Sequence, residues 1–191
     1  MEVFLRGLLP RLLPQGRTFE VHPFQGKSDL LGKIEARLRG YASWLPEDWR
    51  IMVVVDRDDD DCEELKRRLE DMAARAGLRT RTLAGPAQWQ LVNRIAIEEL
   101  EAWYFGDWEA VRAAYPRVPA GIPKRQGLRD PDAIVGGTWE AFERVMREHG
   151  YFKGGLAKLE AARAIGAHVH SPRSRSRSFQ VFCRTVDEAF V

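Results

Sequence analysis

Five apolar residues in a row, Ile51, Met52, Val53, Val54 and Val55, run directly into Asp56, Arg57, Asp58, Asp59, Asp60 and Asp61. An apolar run of this length with a β-branched centre predicts a strand covered on both faces, as in a parallel sheet with helices above and below. In open α/β sheets the ligand crevice lies beyond the carboxyl ends of such strands, so this one delivers charge to the place where chemistry is done. Asp56 and Asp58 stand at i, i+2. If the extended backbone continues through Arg57, both carboxylates point to one side and can hold a hard cation between them. A plainer role competes for the same acids. Residues 62–72 read as a helix, and aspartates ahead of a helix cap its free N–H groups and favour its positive end. Capping accounts for Asp59 or Asp60, and for Asp61 in the first turn. It does not account for Asp56 on the last residue of an apolar strand, where a carboxylate must be desolvated or given a counter-ion.

The elements around this strand follow an alternating pattern. Residues 2–14 have helical apolar spacing closed by prolines. A helix of this kind is normally preceded by a cap and, in an α/β fold, by a strand, which predicts a first strand and loop upstream of Met1. Residues 18–24 alternate as a strand, with Pro23 placing it at an edge or marking its end. Residues 27–44 read as an amphipathic helix with Leu30, Leu31, Ile34, Leu38 and Tyr41 on one side, and Ser28 or Asp29 able to cap it. After the helix of residues 62–76, Gly77 is a stop and residues 79–83 a short strand. The succession predicts a doubly wound, mostly parallel sheet with strand ends on one edge.

Residues 91–97 are a further apolar strand that also runs into acid, at Glu98, Glu99 and Glu101. Two strands ending in carboxylates on one edge can converge on one ion. Glu98 and Glu101 share a helix face if a helix starts there, while Leu100, Trp103 and Tyr104 look inward. Glutamates in a first helical turn also complement the dipole, which is the competing account. Beyond Asp107 the character changes: a short helix over 108–115, a proline- and glycine-rich basic loop over 116–131, and helices over 139–149, 156–165 and 179–190. This divides the chain into an α/β core, residues 1–107, and a mainly helical region, residues 108–191. Ser171, Pro172, Arg173, Ser174, Arg175, Ser176, Arg177 and Ser178 form a low-complexity cationic run. It can track a phosphate backbone, or serve as a solvated linker to a last helix capped by Ser178.

Composition adds limits. A chain of 191 residues with 45% apolar and 30% charged residues is long enough for one substantial core, and a net charge of +2 is too small to argue for nucleic acid without local clustering. Cys62 and Cys183 have neither metal-ligand spacing nor disulfide-framework density, so a reducing cytoplasm is expected. No apolar run approaches the ~20 residues of a membrane span. The sequence carries no phosphate-binding Gly-rich loop of the P-loop type, no Cys/His zinc pattern and no Gly-x-Ser-x-Gly elbow. The histidines His22, His149, His168 and His170 are scattered.

Three stretches together resemble a known family: the helix from Val3 to Pro14, the block from Val53 to Asp61, and the segment from Ile97 to Asp107, joined by Tyr151, Phe152 and Lys153 and by Ser178, Phe179 and Phe182 near the end. The chain is similar to the prokaryotic domain-of-unknown-function 4276 family over almost its whole length. That family is similar to Toprim domains, the catalytic core shared by topoisomerases, primases and overcoming-lysogenization-defect nucleases. The resemblance implies a three-layer Toprim-like α/β fold with a helical C-terminal extension. It implies an Asp-x-Asp pair, matched by Asp56 and Asp58, that binds Mg²⁺ or Mn²⁺ and carries phosphoryl transfer. The Toprim glutamate on a first strand has no counterpart here, because it would precede Met1, and Glu2 is not a safe substitute.

The expected activity is therefore Mg-dependent nucleic-acid phosphoryl transfer, a Toprim-like nuclease working in a prokaryotic defence or mobile-element system. Asp56, Asp58, Glu98 and Glu101 are the expected catalytic acids, with Asp56, Asp58 and Glu98 as metal ligands. Lys153, Arg173, Arg175 and Arg177 are the expected phosphate contacts on DNA or RNA. The alternative is a non-catalytic Toprim-like interaction module beside an ATPase partner, its acids serving only as caps. A small-molecule phosphotransferase or phosphatase on a similar sheet is a third reading.

Overall fold

The computed structural model describes residues 1–97 and 99–190. In chain order the elements are α1 (Glu2–Leu12), α2 (Lys27–Ala42), β1 (Ile51–Asp56), α3 (Cys62–Arg75), α4 (Arg81–Ala84), β2 (Leu91–Ala96), α5 (Leu100–Gly106), α6 (Trp108–Ala114), α7 (Thr138–Glu148), α8 (Lys158–Gly166) and α9 (Arg177–Glu188). Short 3-10 turns lie at Ile122–Lys124, Pro131–Ala133 and Ser171–Arg173. The protein is a mixed α/β chain in which, among the described residues, two parallel strands form a small sheet with helices around it. No helix among the described residues is long and apolar enough to cross a membrane.

The backbone divides into two units, one made of Pro23–Ile95 and the other of Met1–His22 together with Ala96–Phe190. The first unit is built on β1 and β2. Alternation along β1 turns Val53 and Val55 inward, where they meet Leu30, Ile34 and Leu38 of α2 and Leu65, Leu69 and Met72 of α3. Both helices show the i, i+4 apolar stripe that the sequence predicts. Helix α3 opens at Asp61, whose carboxylate accepts from Glu64 N at 2.8 Å. It closes with Gly77 at φ 83, where Gly77 N bonds to the Ala74 carbonyl at 2.9 Å and Leu78 N to that of Ala73 at 3.1 Å. That pair of bonds demands a left-handed residue, which glycine adopts without a Cβ penalty.

Two expected strands do not form. Residues 18–24 are irregular, because a strand needs a neighbour to take its backbone hydrogen bonds and Pro23 supplies no donor. In the stretch 79–83 only Thr80 makes a parallel bridge, to Leu91, before the chain turns into α4. Helix α1 keeps Pro10 inside its last turn.

The second unit is organised around α5, all of whose residues from Leu100 to Gly106 are buried. A short helix buried on every side is expected to be mainly apolar, and this one carries Trp103, Tyr104 and Phe105 in succession with Glu101 as its single charged residue. Phe4 of α1 packs at 5.8 Å from Trp103 and 5.7 Å from Tyr104, and Trp103 meets Phe179 of α9 at 5.0 Å, ring centroid to centroid. Trp103 is thus a core residue, and its Nε1 donates to Ser178 Oγ at 3.0 Å. Helix α1 crosses α8 closely at Gly7 and Gly166, while Arg11 reaches Gly166 O at the end of α8 and Val169 O beyond it. A cation at that end complements the helix dipole.

Candidate functional site

In the first unit the acids gather beyond β1. Asp56 is the last strand residue, and its Oδ1 is shielded from solvent. The extended path does not continue through Arg57: Asp58 takes φ 49, a left-handed conformation that aspartate tolerates better than most residues, and the chain turns. The turn brings Asp58 and Asp60 together on one cation. Lys27, the first residue of α2, places its Nζ 2.8 Å from Asp58 Oδ2, 2.6 Å from Asp60 Oδ2 and 2.8 Å from the Arg57 carbonyl. Three acceptors match the three donors of an ammonium group. Burial works to lower the Lys27 pKa, but the hydrogen bonds and charges of Asp58 and Asp60 outweigh it and raise the group above the usual lysine value.

A second polar cluster lies between α3 and β2 in the same unit. Lys66 Nζ sits 2.8 Å from Glu70 Oε1 and 2.8 Å from the Asn93 carbonyl, and Asn93 Nδ2 donates to Glu70 Oε1 at 3.0 Å. Burial pushes the Glu70 carboxyl upward, yet hydrogen bonding, led by Lys66, brings it below the ordinary glutamate value. Neither Lys27 nor this cluster was expected from sequence. The visible signal was Asn93, a polar residue inside the apolar run Leu91, Val92, Asn93, Arg94, Ile95, Ala96.

In the second unit, Glu101 lies on α5 and is 5% exposed. Glu99, next to it, accepts from Thr138 Oγ1 and Trp139 N at 3.0 Å each, so it caps α7. Glu98, an expected ligand, lies outside the described residues. Asp107 is buried, with its carboxylate taking His170 N at 2.7 Å and Arg173 Nη2 at 2.9 Å. The Arg173 guanidinium, expected as a phosphate contact, is therefore already engaged, and its pKa is raised, first by the hydrogen bond to Asp107. Lys153 is exposed in the turn after Phe152, which has φ 50. Arg175 and Arg177 are exposed, whereas Ser174 and Ser176, each directly before one of them, are buried. The run 171–178 is consequently a fixed part of the fold rather than a solvated linker, and the cap of α9 is Ser176, whose Oγ accepts from Phe179 N at 3.2 Å, in place of Ser178.

The model of the family described as domain of unknown function DUF4276 matches residues 1–187. The chain belongs to the DUF4276 family. No curated protein and no solved structure matches it.

The donor set that this DUF4276 chain gathers beyond β1 is all oxygen: the carboxylates of Asp58 and Asp60 and the carbonyl of Arg57, directly after Asp56 at the end of the strand. Hard cations such as Mg²⁺ take such donors, so the chemistry fits one. Among the described residues, no group of three or more His, Cys, Asp or Glu side chains converges in the manner of ready-made metal ligands. What the loop grips is the Lys27 ammonium.

Proposed function

We propose that this protein is a Mg-dependent nucleic-acid phosphoryl-transfer protein related to Toprim domains, with the carboxyl end of β1 as its reacting site. The observation that carries the reading is the grip of Asp58, Asp60 and the Arg57 carbonyl on one cationic nitrogen at 2.6–2.8 Å, directly after Asp56. Its position beyond a parallel strand is where ligands of open α/β sheets are held. Asp56 and Asp58 are the residues that would hold the ion. Bound there, Mg²⁺ would polarise a phosphodiester and steady the leaving oxygen. The chain's own part is to aim the acids: β1 delivers Asp56, the left-handed turn at Asp58 folds the loop back, and Asp61 anchors that loop to α3. Lys27 offsets part of the loop's negative charge and keeps Asp58 and Asp60 together.

A second reading, a non-catalytic module acting beside an ATPase, draws on the same contact, since Lys27 already satisfies Asp58, Asp60 and the Arg57 carbonyl. Calorimetric titration with Mg²⁺ and Mn²⁺ separates the two. The enzyme reading expects uptake by the wild type, tighter uptake by Lys27→Met, none by Asp56→Asn, and nicking of DNA or RNA that disappears with Asp56→Asn. Silence of both the wild type and Lys27→Met would leave the module.

A further inference from the structure

Residues 171–178 offer a surface that the acidic loop does not use. After the turn Ser171–Arg173 the backbone is extended at Ser174 (φ −69, ψ 135) and at Ser176 (φ −70, ψ 119). Extended backbone sends successive side chains to opposite faces, and here the alternation sorts them by chemistry: serines inward, Arg173, Arg175 and Arg177 outward. The inner row is fastened. Asp132 accepts from Ser176 Oγ at 2.7 Å and from Ser178 N and Oγ at 3.1 and 3.0 Å. Arg175 N donates to the Gly106 carbonyl at 3.0 Å, and Gln180 Nε2 to the Ser174 carbonyl at 2.6 Å.

The outer row is not what holds the segment in place, apart from Arg173, which is bound to Asp107. Among the described residues the Arg175 guanidinium reaches a main-chain carbonyl, that of Arg129, at 3.3 Å, and no carboxylate. Arg177 pairs with no acid among the described residues. Arg175 precedes α9 and Arg177 opens it; the helix has no acidic residue in its own first turn, and the carboxylate at that end is Asp132. Asp132 and Ser176 already take the amides of Ser178 and Phe179, which leaves the Arg177 guanidinium and the remaining N–H groups of Arg175 to meet an anion.

We infer that Arg175 and Arg177 form a rigid phosphate-binding rail for single-stranded nucleic acid. Alternate residues of an extended chain stand about 6.6 Å apart, comparable to the step between neighbouring phosphates on an extended strand, and each guanidinium can take a phosphate through two N–H groups. The rail goes beyond the phosphoryl-transfer reading and does not depend on it, because backbone binding requires no divalent ion.

The test is fluorescence anisotropy of a labelled oligo-dT strand in EDTA across a salt series. The wild type binds. The double variant Arg175→Ala/Arg177→Ala binds about ten-fold more weakly, and the slope of log K against log salt shrinks by about 1.4, two cations at about 0.7 each. Arg177→Ala alone shrinks it by about 0.7 and keeps the wild-type melting temperature. Arg144→Ala/Arg163→Ala, a charge-matched pair exposed in the same unit, binds as the wild type does. The rail is overturned if the wild type leaves the strand in solution at low salt, or if both double variants weaken equally. It is also overturned if the protein binds phosphatidylserine vesicles and ignores the strand.

Discussion

Gly106 shows how far one side chain can be constrained by a distant segment. A Cβ there would stand 2.7 Å from Ser174 Oγ, 2.9 Å from Ser176 Cβ and 3.1 Å from Ser176 N. In an exposed helix, alanine would improve on glycine by about 1 kcal/mol. At this position the neighbours include main chain that cannot yield, so Gly106→Ala is expected to lose about 1–3 kcal/mol, read as a lower urea midpoint at unchanged slope. The absence of a side chain is what lets the serine row run against the end of α5, with the Gly106 carbonyl taking Arg175 N. Asp107 follows directly, already bound to Arg173, so the acid expected to close one segment and the cation expected to meet phosphate meet each other.

At the scale of elements, the loop between β1 and α3 depends on α2 for its charge balance. Lys27 titrates above the ordinary lysine value in the folded protein, so its contribution is complete below about pH 10 and fades as the pH rises through the folded pKa. Asp58 and Asp60 are about half exposed, so solvent screening keeps that contribution within about 1 kcal/mol. The stability difference between the wild type and Lys27→Met is therefore expected to be flat from neutral pH to about 10 and to shrink beyond it. Curves that stay parallel above about pH 10 would contradict the ion pairs. The helices α2, α3, α6, α7, α8 and α9 and the strands β1 and β2 were legible from periodicity and caps. Residues 18–24 and 79–83 were not, because alternation describes a strand's faces and says nothing about whether another strand is present to take its hydrogen bonds.

Across the whole molecule, the unit containing α5 is assembled from both ends of the chain around the insertion Pro23–Ile95. Phe4 is the clearest link. It is fully buried, and its ring centroid lies 5.7 Å from that of Tyr104 and 6.4 Å from that of Phe179. Phe4→Ala is expected to destabilise the protein by about 3–5 kcal/mol, visible in urea unfolding followed by tryptophan fluorescence, since Trp103 shares that cluster. The apolar run into Asp56, the helical stripes, the aromatic block at Trp103 and the family membership were all readable along the chain, because each is a pattern among near neighbours. The partners of the charged groups were not. Lys27 lies 31 residues from Asp58, and Asp132 lies 44 from Ser176. Whether an acid faces water, a cation or a helix end, and whether an arginine is locked or open to solvent, depends on which distant backbone arrives beside it. Folding brings those neighbours together, and their Coulomb and hydrogen-bond energies act through space without regard to sequence separation.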